Sequence, residues 1–194
     1  MNTDEGVTTY RSKPAVFTGV ALLAAGLWLV VDSLVRADGK ASVTVVGAVV
    51  AVGAVVVALT LRAAVFAGPE MLRIRNPFRT IEIPWGAVQE VRAEYSLEVR
   101  ADDRKFHIWS IPVSLRERKR AMRVNSRSAA ESPYGSQHHE IAQAALADHA
   151  VADFRGMAEQ MGKESTGPVK VAWSWEILAP LAAGIVLAAI GAAL

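Results

Sequence analysis

The sequence predicts a membrane protein of the α+β class: three transmembrane helices, with a small antiparallel β-sheet or partial barrel between the second and third, capped by an amphipathic helix. Three observations predict it. Apolar runs of about 20 residues, the length that crosses a hydrocarbon core, occur three times. A stretch of alternating apolar and polar residues follows the second run, and a helical periodicity precedes the third. Composition agrees, since 52% of the 194 residues are hydrophobic and only 21% charged, with a mean hydropathy of +0.26. The segments are 1–13 (N-terminal tail), 14–61 (transmembrane hairpin), 62–113 (β-domain) and 114–138 (basic polar loop). There follow 139–162 (capping helix), 163–172 (linker) and 173–194 (C-terminal transmembrane helix).

The first run, PAVFTGVALLAAGLWLVVDSLV from Pro14 to Val35, is longer than the apolar core of a secretory signal and is followed almost at once by a second span. That second run, Ser42 to Leu61, is uncharged and rich in Val, Ala and Gly, a composition that lets helix backbones approach closely in lipid. The link Arg36 to Ala41 allows only a tight turn, so the two helices are antiparallel neighbours. The third run, Trp173 to Leu194, has Glu176 as its only charge and opens with Trp173 and Trp175, residues suited to headgroup level. Pro180 is a site for a kink. Asp32 lies near the end of the first span, where Arg36, four residues on, can satisfy it.

Lys and Arg set the orientation. Arg11 and Lys13 precede the first span, Arg36 and Lys40 lie in the short link, and Arg62, Arg73, Arg75, Lys163 and Lys170 belong to the middle segment. The heavier basic side is expected in the cytoplasm. The protein is therefore expected in the cell membrane as a multi-pass protein with the middle domain cytoplasmic and the C-terminus outside.

In the middle segment, Leu72 and Ile74 alternate with Arg73 and Arg75, Asn76-Pro77-Phe78 interrupts, and Ile81 and Ile83 alternate with Thr80 and Glu82. This is a hairpin with one buried face. Pro84 ends its second strand, and Trp85, Val88 and Val91 at spacings of three predict a brief helical turn entering another strand. Leu97 and Val99 mark a fourth strand, Asp102-Asp103 a turn, and KFHIWSIPV a fifth. Connections this short require antiparallel pairing. Farther on, Leu146, Ala150, Phe154, Met157 and Met161 recur at helical spacing, giving an amphipathic helix whose plain role is to cover the sheet; Gly162 and Gly167-Pro168 stop it. Trp85 and Trp109 are expected to pack in the sheet.

The stretch EMLRIRNPFRTIEIPWGAVQEVRAEYSLEVRADDRKFHIWSIPV, Glu70 to Val113, carries a resemblance through its RNPFRT turn and the following IPW. It resembles the bacterial PH-like domain of small actinobacterial membrane proteins, of the low-molecular-weight protein antigen 6 type. The resemblance implies a PH-like antiparallel sheet or partial barrel on a membrane anchor and brings no catalytic residues with it.

The chain has no cysteine, which excludes disulfides and thiolate metal sites, and its net charge of +2 does not indicate nucleic-acid binding. Adjacent His138 and His139 point apart on a helix, His149 and Asp148 do not face each other, and His107 sits alone in a strand. No phosphate loop, nucleophile elbow or metal motif is present, so the protein is expected to be no enzyme, with no cofactor. Basic charge concentrates between Arg104 and Arg127, which holds eight basic residues and one acidic. Within it Arg116, Arg118, Lys119, Arg120, Arg123 and Arg127 are the candidate contacts to lipid headgroups, each contributing roughly 1 kcal/mol if held at an anionic surface. The alternative is a solvated connector. The function expected is a membrane-anchored interaction module that binds a protein partner or anionic lipid headgroups at the cytoplasmic face, with membrane lipids and a protein partner or second copy as its company. The other function class is an accessory subunit of a membrane transport or envelope complex acting through its helices.

Overall fold

A computed structural model describes residues 2–4, 7–36, 39–93, 96–111 and 137–194. They fall into a β-rich unit of Met1–Tyr10, Val65–Ile74 and Glu82–Lys170, and a helical unit of Arg11–Ala64, Arg75–Ile81 and Val171–Leu194.

Alternation dictates most of the β-rich unit. Strands β4 (Met71–Arg75) and β5 (Arg79–Pro84) bury Leu72, Ile74, Ile81 and Ile83, while Arg73 and Glu82 on the other face pair at 2.9 Å. A three-residue 3-10 turn, Trp85–Ala87, follows Pro84, and β6 (Val88–Ala93), β7 (Leu97–Ala101) and β8 (Arg104–Ile108) form a second, antiparallel sheet in that order. The turn between β7 and β8 places Asp102 and Asp103 both in the left-handed region, φ 48° and 59°. Two such residues make the mirror-image turn whose twist suits a two-residue hairpin, and aspartate tolerates that conformation better than most side chains.

The larger sheet has more strands than alternation predicted. Its order begins β1 (Asn2–Asp4), β2 (Val7–Tyr10), β3 (Ala64–Ala67), β4, β5, with β1–β2 and β2–β3 antiparallel. The N-terminal tail is thus drawn into strands, and Tyr10 is buried. Three or four residues are too few to show a period of two, and these pair only because β3 supplies an edge (Thr8 opposite Ala67, Tyr10 opposite Val65).

Helix α3 (Gln137–Met161) covers this unit, burying Ala147, Ala150 and Phe154. Tyr10 meets Phe154 edge-on at 5.4 Å between ring centroids, and Trp85 lies against it at 6.3 Å. Each fully buried large side chain stabilises the unit by about 1.5–3 kcal/mol. Arg155 fixes the helix to β6, donating from Nη2 (2.7 Å) and Nε (3.2 Å) to the Val91 carbonyl. Trp85 is held at both ends, its indole N–H donating to the Gly68 carbonyl (2.9 Å) and its backbone N–H to Ser165 Oγ (2.8 Å). Trp109 does not pack in the sheet: it is 61% exposed. The alternation that buries Phe106 and Ile108 continues past the strand end to Ser110, and it puts Trp109 on the outward face with His107.

The helical unit contains α1 (Lys13–Arg36), α2 (Gly39–Val56) continued by a π-helical stretch (Val57–Arg62), and α4 (Trp175–Ala193). All three, counting Gly39–Arg62 as one, are long and apolar enough to cross a membrane. Helices α2 and α4 touch backbone to backbone. A methyl group added at Gly47 would stand 2.2 Å from the Ala188 nitrogen, one at Gly184 2.5 Å from that of Ala51, and one at Gly191 2.5 Å from that of Thr44. Such contact needs residues without side chains, the rule for helix association where lipid removes the hydrophobic drive. Asp32 and Arg36 pair at 2.8 Å near the end of α1, as their spacing predicts. Strand β9 (Lys170–Trp173) is the other neighbour of β5 and leads through Ser174 into α4, so Trp173 precedes the helix.

Candidate functional site

The two ends of the helical unit differ in what they assemble. At one end Ser42 Oγ donates to the Ser33 carbonyl (2.9 Å) and Lys40 Nζ to the Leu194 carbonyl, which brings together the end of α1, the start of α2 and the end of α4. At the other end the end of the π-stretch, the start of α4 and the β4–β5 turn converge around one side chain, Arg62.

Arg62 is the last residue of the second apolar helical run, Gly39–Arg62, and the first charge after Lys40. Its guanidinium is nearly buried, with 9% of the side chain exposed. It lies 3.0 Å from Glu176 in the first turn of α4 and donates to the Asn76 carbonyl and to Thr80 Oγ1 (2.7 Å). One fork therefore ties the end of one span and the start of another to residues on both sides of the Pro77-Phe78 turn. That turn is closed by the Asn76 N–H donating to the Arg79 carbonyl at 2.9 Å, and Pro77 is buried. Arg11, just before α1, donates to the Leu61 carbonyl.

The turn is fixed from a second direction. The Ser174 N–H donates to the Phe78 carbonyl at 3.0 Å, and the Arg79 guanidinium lies over the Trp173 ring, 4.9 Å from its centroid. Trp173 and Trp175 are 56% and 68% exposed. Arg75 and Arg79 are exposed, and among the described residues no carboxylate pairs with Arg79. The result is an end of the helical unit that carries Arg11, Lys13, Arg62, Arg75 and Arg79 with two exposed tryptophans, where Arg62 is held by Glu176.

A second polar surface lies on the outer face of the small sheet, where Glu90, Arg92, Glu98, Arg100 and Lys105 line a shallow depression. Charges of both signs alternate across its strands: Arg92 is opposite Glu98, His107 Nδ1 lies 3.3 Å from Glu98, and Arg100 lies 3.6 Å from Asp103. A face that neutralises itself in this way is a solvated surface with no preferred sign of ligand. Among the described residues no three His, Asp or Glu side chains are grouped to hold a metal ion.

Of the residues singled out from sequence, Arg116, Arg118, Lys119, Arg120, Arg123 and Arg127 all lie outside the described residues, as do the side chains of His138 and His139. His107 is an exposed strand residue beside Glu98 and Ser96, in keeping with a surface role. The sequence placed Arg62 in the count of flanking charge and Arg75 both in that count and on the polar side of the hairpin, and did not single out Arg79. The signal was present in part: Arg62 and Glu176 stand one at each of two span boundaries, with opposite signs.

Comparisons with curated proteins and with solved structures gave no match. A family model described as Bacterial PH domain matches residues 62–132, a stretch that starts at Arg62, contains the β4–β5 hairpin and runs past the basic residues Arg116 to Arg127. Strands β3 to β8 all lie within that stretch, so it is this part of the chain, residues 62–132, that is similar to a bacterial PH domain.

Proposed function

We propose that the protein is a membrane-anchored interaction module without enzymatic activity, in which α1, α2 and α4 span the membrane and the PH segment engages a protein partner or anionic headgroups at the cytoplasmic face. The observation that carries it is the gathering of two span ends and the β4–β5 turn around Arg62. The turn Arg75–Ile81, part of the matched stretch and bonded to span ends within the helical unit, stands at a bilayer surface if those helices cross. Orientation rests on charge: Arg11, Lys13, Arg62, Arg75 and Arg79 mark one end, against Arg36 and Lys40 at the other, where Arg36 is offset by Asp32. By the excess of Lys and Arg on cytoplasmic sides, the Arg62 end faces the cytoplasm and Leu194 the outside. The basic residues Arg116, Arg118, Lys119, Arg120, Arg123 and Arg127 then lie on the side where the leaflet is anionic.

The chain has no cysteine, so single introduced cysteines report accessibility without background. On intact cells a membrane-impermeant maleimide is expected to label Leu194→Cys and to reach Glu82→Cys only after lysis. The reverse pattern would refute the orientation, and extraction of the protein by alkaline carbonate would refute the anchoring. The second function class, an accessory subunit acting through its helices, draws on the exposed apolar face of α1 with Phe17, Leu27, Trp28 and Leu34. Photocrosslinks in intact membranes that arise only from that face and never from β4 to β8 would favour it.

A further inference from the structure

The turn between β4 and β5 belongs to the helical unit and is held there by more than one hydrogen bond, and it carries Arg79, which that bonding does not use. Arg62 is consumed by Glu176, Asn76 and Thr80. Arg79, one residue beyond the Phe78 whose carbonyl receives the Ser174 N–H, instead lies over Trp173. A guanidinium over an aromatic face spends its π surface there and keeps its in-plane N–H donors for another group, and that planar fork matches the two oxygens of a phosphate. Trp173 and Trp175 are exposed at the start of α4, the depth at which indoles sit among headgroups. Arg75, on the other arm of the same hairpin, and Lys13, at the start of α1, add charge of the same sign in the same unit.

We propose that the β4–β5 turn, Arg75–Ile81, is a lipid-headgroup site: Arg79, positioned over Trp173, takes the phosphate of an anionic phospholipid in the leaflet where α4 begins, with Arg75 and Lys13 contributing to the field. The proposal rests on the three helices crossing the membrane and is distinct from the basic residues Arg116 to Arg127. Its function is to hold the turn itself at the headgroups, because the turn that binds the headgroup is the same turn that Arg62 and Ser174 fix.

The test uses the full chain purified in detergent, with phosphatidylglycerol titrated as the anionic probe and phosphatidylcholine as the zwitterionic one, and bound lipid read by native mass spectrometry. Loss of one basic contact at a lipid surface corresponds to about a fivefold weakening, so Arg79→Gln is expected to weaken phosphatidylglycerol binding by that factor and to leave phosphatidylcholine unchanged. Arg79→Lys, which keeps charge but not the planar fork, is expected to fall between. Unchanged affinity in Arg79→Gln, or a loss seen only when Arg116, Arg118, Lys119, Arg120, Arg123 and Arg127 are neutralised together, overturns the site. Carbonate extraction separates the two levels: release of the wild type overturns the membrane anchoring, whereas a retained protein with unchanged lipid affinity in Arg79→Gln overturns the headgroup site alone.

Discussion

Replacing Arg62 by methionine keeps most of the side-chain stem and removes the fork that joins two span ends to the hairpin turn. Three interactions disappear: the ion pair with Glu176 at 3.0 Å, the bond to Thr80 Oγ1 at 2.7 Å and the bond to the Asn76 carbonyl. Glu176 is 63% exposed, so the ion pair is screened and contributes only about 0.2–1 kcal/mol. The two hydrogen bonds come from a charged donor that is nearly buried, and each is of the order of 1.5 kcal/mol at the lower end of the range for such bonds. Their sum puts the cost at about 3–4 kcal/mol, which for a chain of this length corresponds to a fall of roughly 6–16 °C in the thermal midpoint. Thermal unfolding in detergent micelles, followed by tryptophan fluorescence, measures it. Glu176→Gln, which removes only the screened pair, is expected to cost less than about 1 kcal/mol. If Arg62→Met and Glu176→Gln lower the midpoint equally, Arg62 acts only as an ion-pair partner, and the account of it as the clamp on the turn is wrong.

Ser165 accepts the Trp85 N–H, and its hydroxyl donates to the Glu70 carbonyl; Ser165→Ala leaves the buried Trp85 N–H unpaired and is expected to cost about 1–3 kcal/mol in the β-rich unit, read by denaturant unfolding. Gly47→Ala drives a methyl into the backbone of α4; overpacking of this kind costs about 1–3 kcal/mol, and lower disulfide yield between cysteine pairs introduced on α2 and α4 checks it. Tyr10 titrates above its ordinary value of 10.0 because it is buried and because its hydroxyl donates to Asp153, whose charge also opposes ionisation. Folded tyrosine therefore holds its proton more tightly than unfolded tyrosine, so this contribution is complete below about pH 10 and is lost as the pH rises toward the folded value. The gap in unfolding midpoint between wild type and Tyr10→Phe is expected to narrow as the pH is raised past 10.0, and a gap independent of pH would refute the linkage.

The β4–β5 hairpin was legible because Leu72, Ile74, Ile81 and Ile83 alternate with polar residues over two whole strands, and the capping face of α3 because Ala150 and Phe154 lie four apart with Ala147 on the same side. Strands β1, β2, β3 and β9 were not legible. They have three or four residues each, carry no measurable period, and owe their extended form to partners distant in sequence: β2 pairs with β3 across more than one helix of intervening chain. Trp109 was misassigned because its apolar character was weighed above its place in the alternation, which puts it with exposed His107 between buried Ile108 and Ser110. In the candidate site, the basic character of the span boundaries was visible, but the partners of Arg62 lie 14, 18 and 114 residues away.

By itself the sequence determined what is local or periodic: three apolar runs of spanning length, a two-faced hairpin, a covering helix, and a family resemblance that the match over residues 62–132 supports. Those follow from the fixed rise and repeat of helix and strand, which any stretch of chain expresses without reference to the rest. Only the tertiary structure decided which arginine is bound and which is left with its donors outward. Arg62, Arg75 and Arg79 are chemically identical in the sequence; one ends a span beside Glu176 and an open carbonyl, and another lies over Trp173 with no carboxylate partner among the described residues. That difference is one of surroundings assembled from four separate stretches of chain, and no local pattern encodes it.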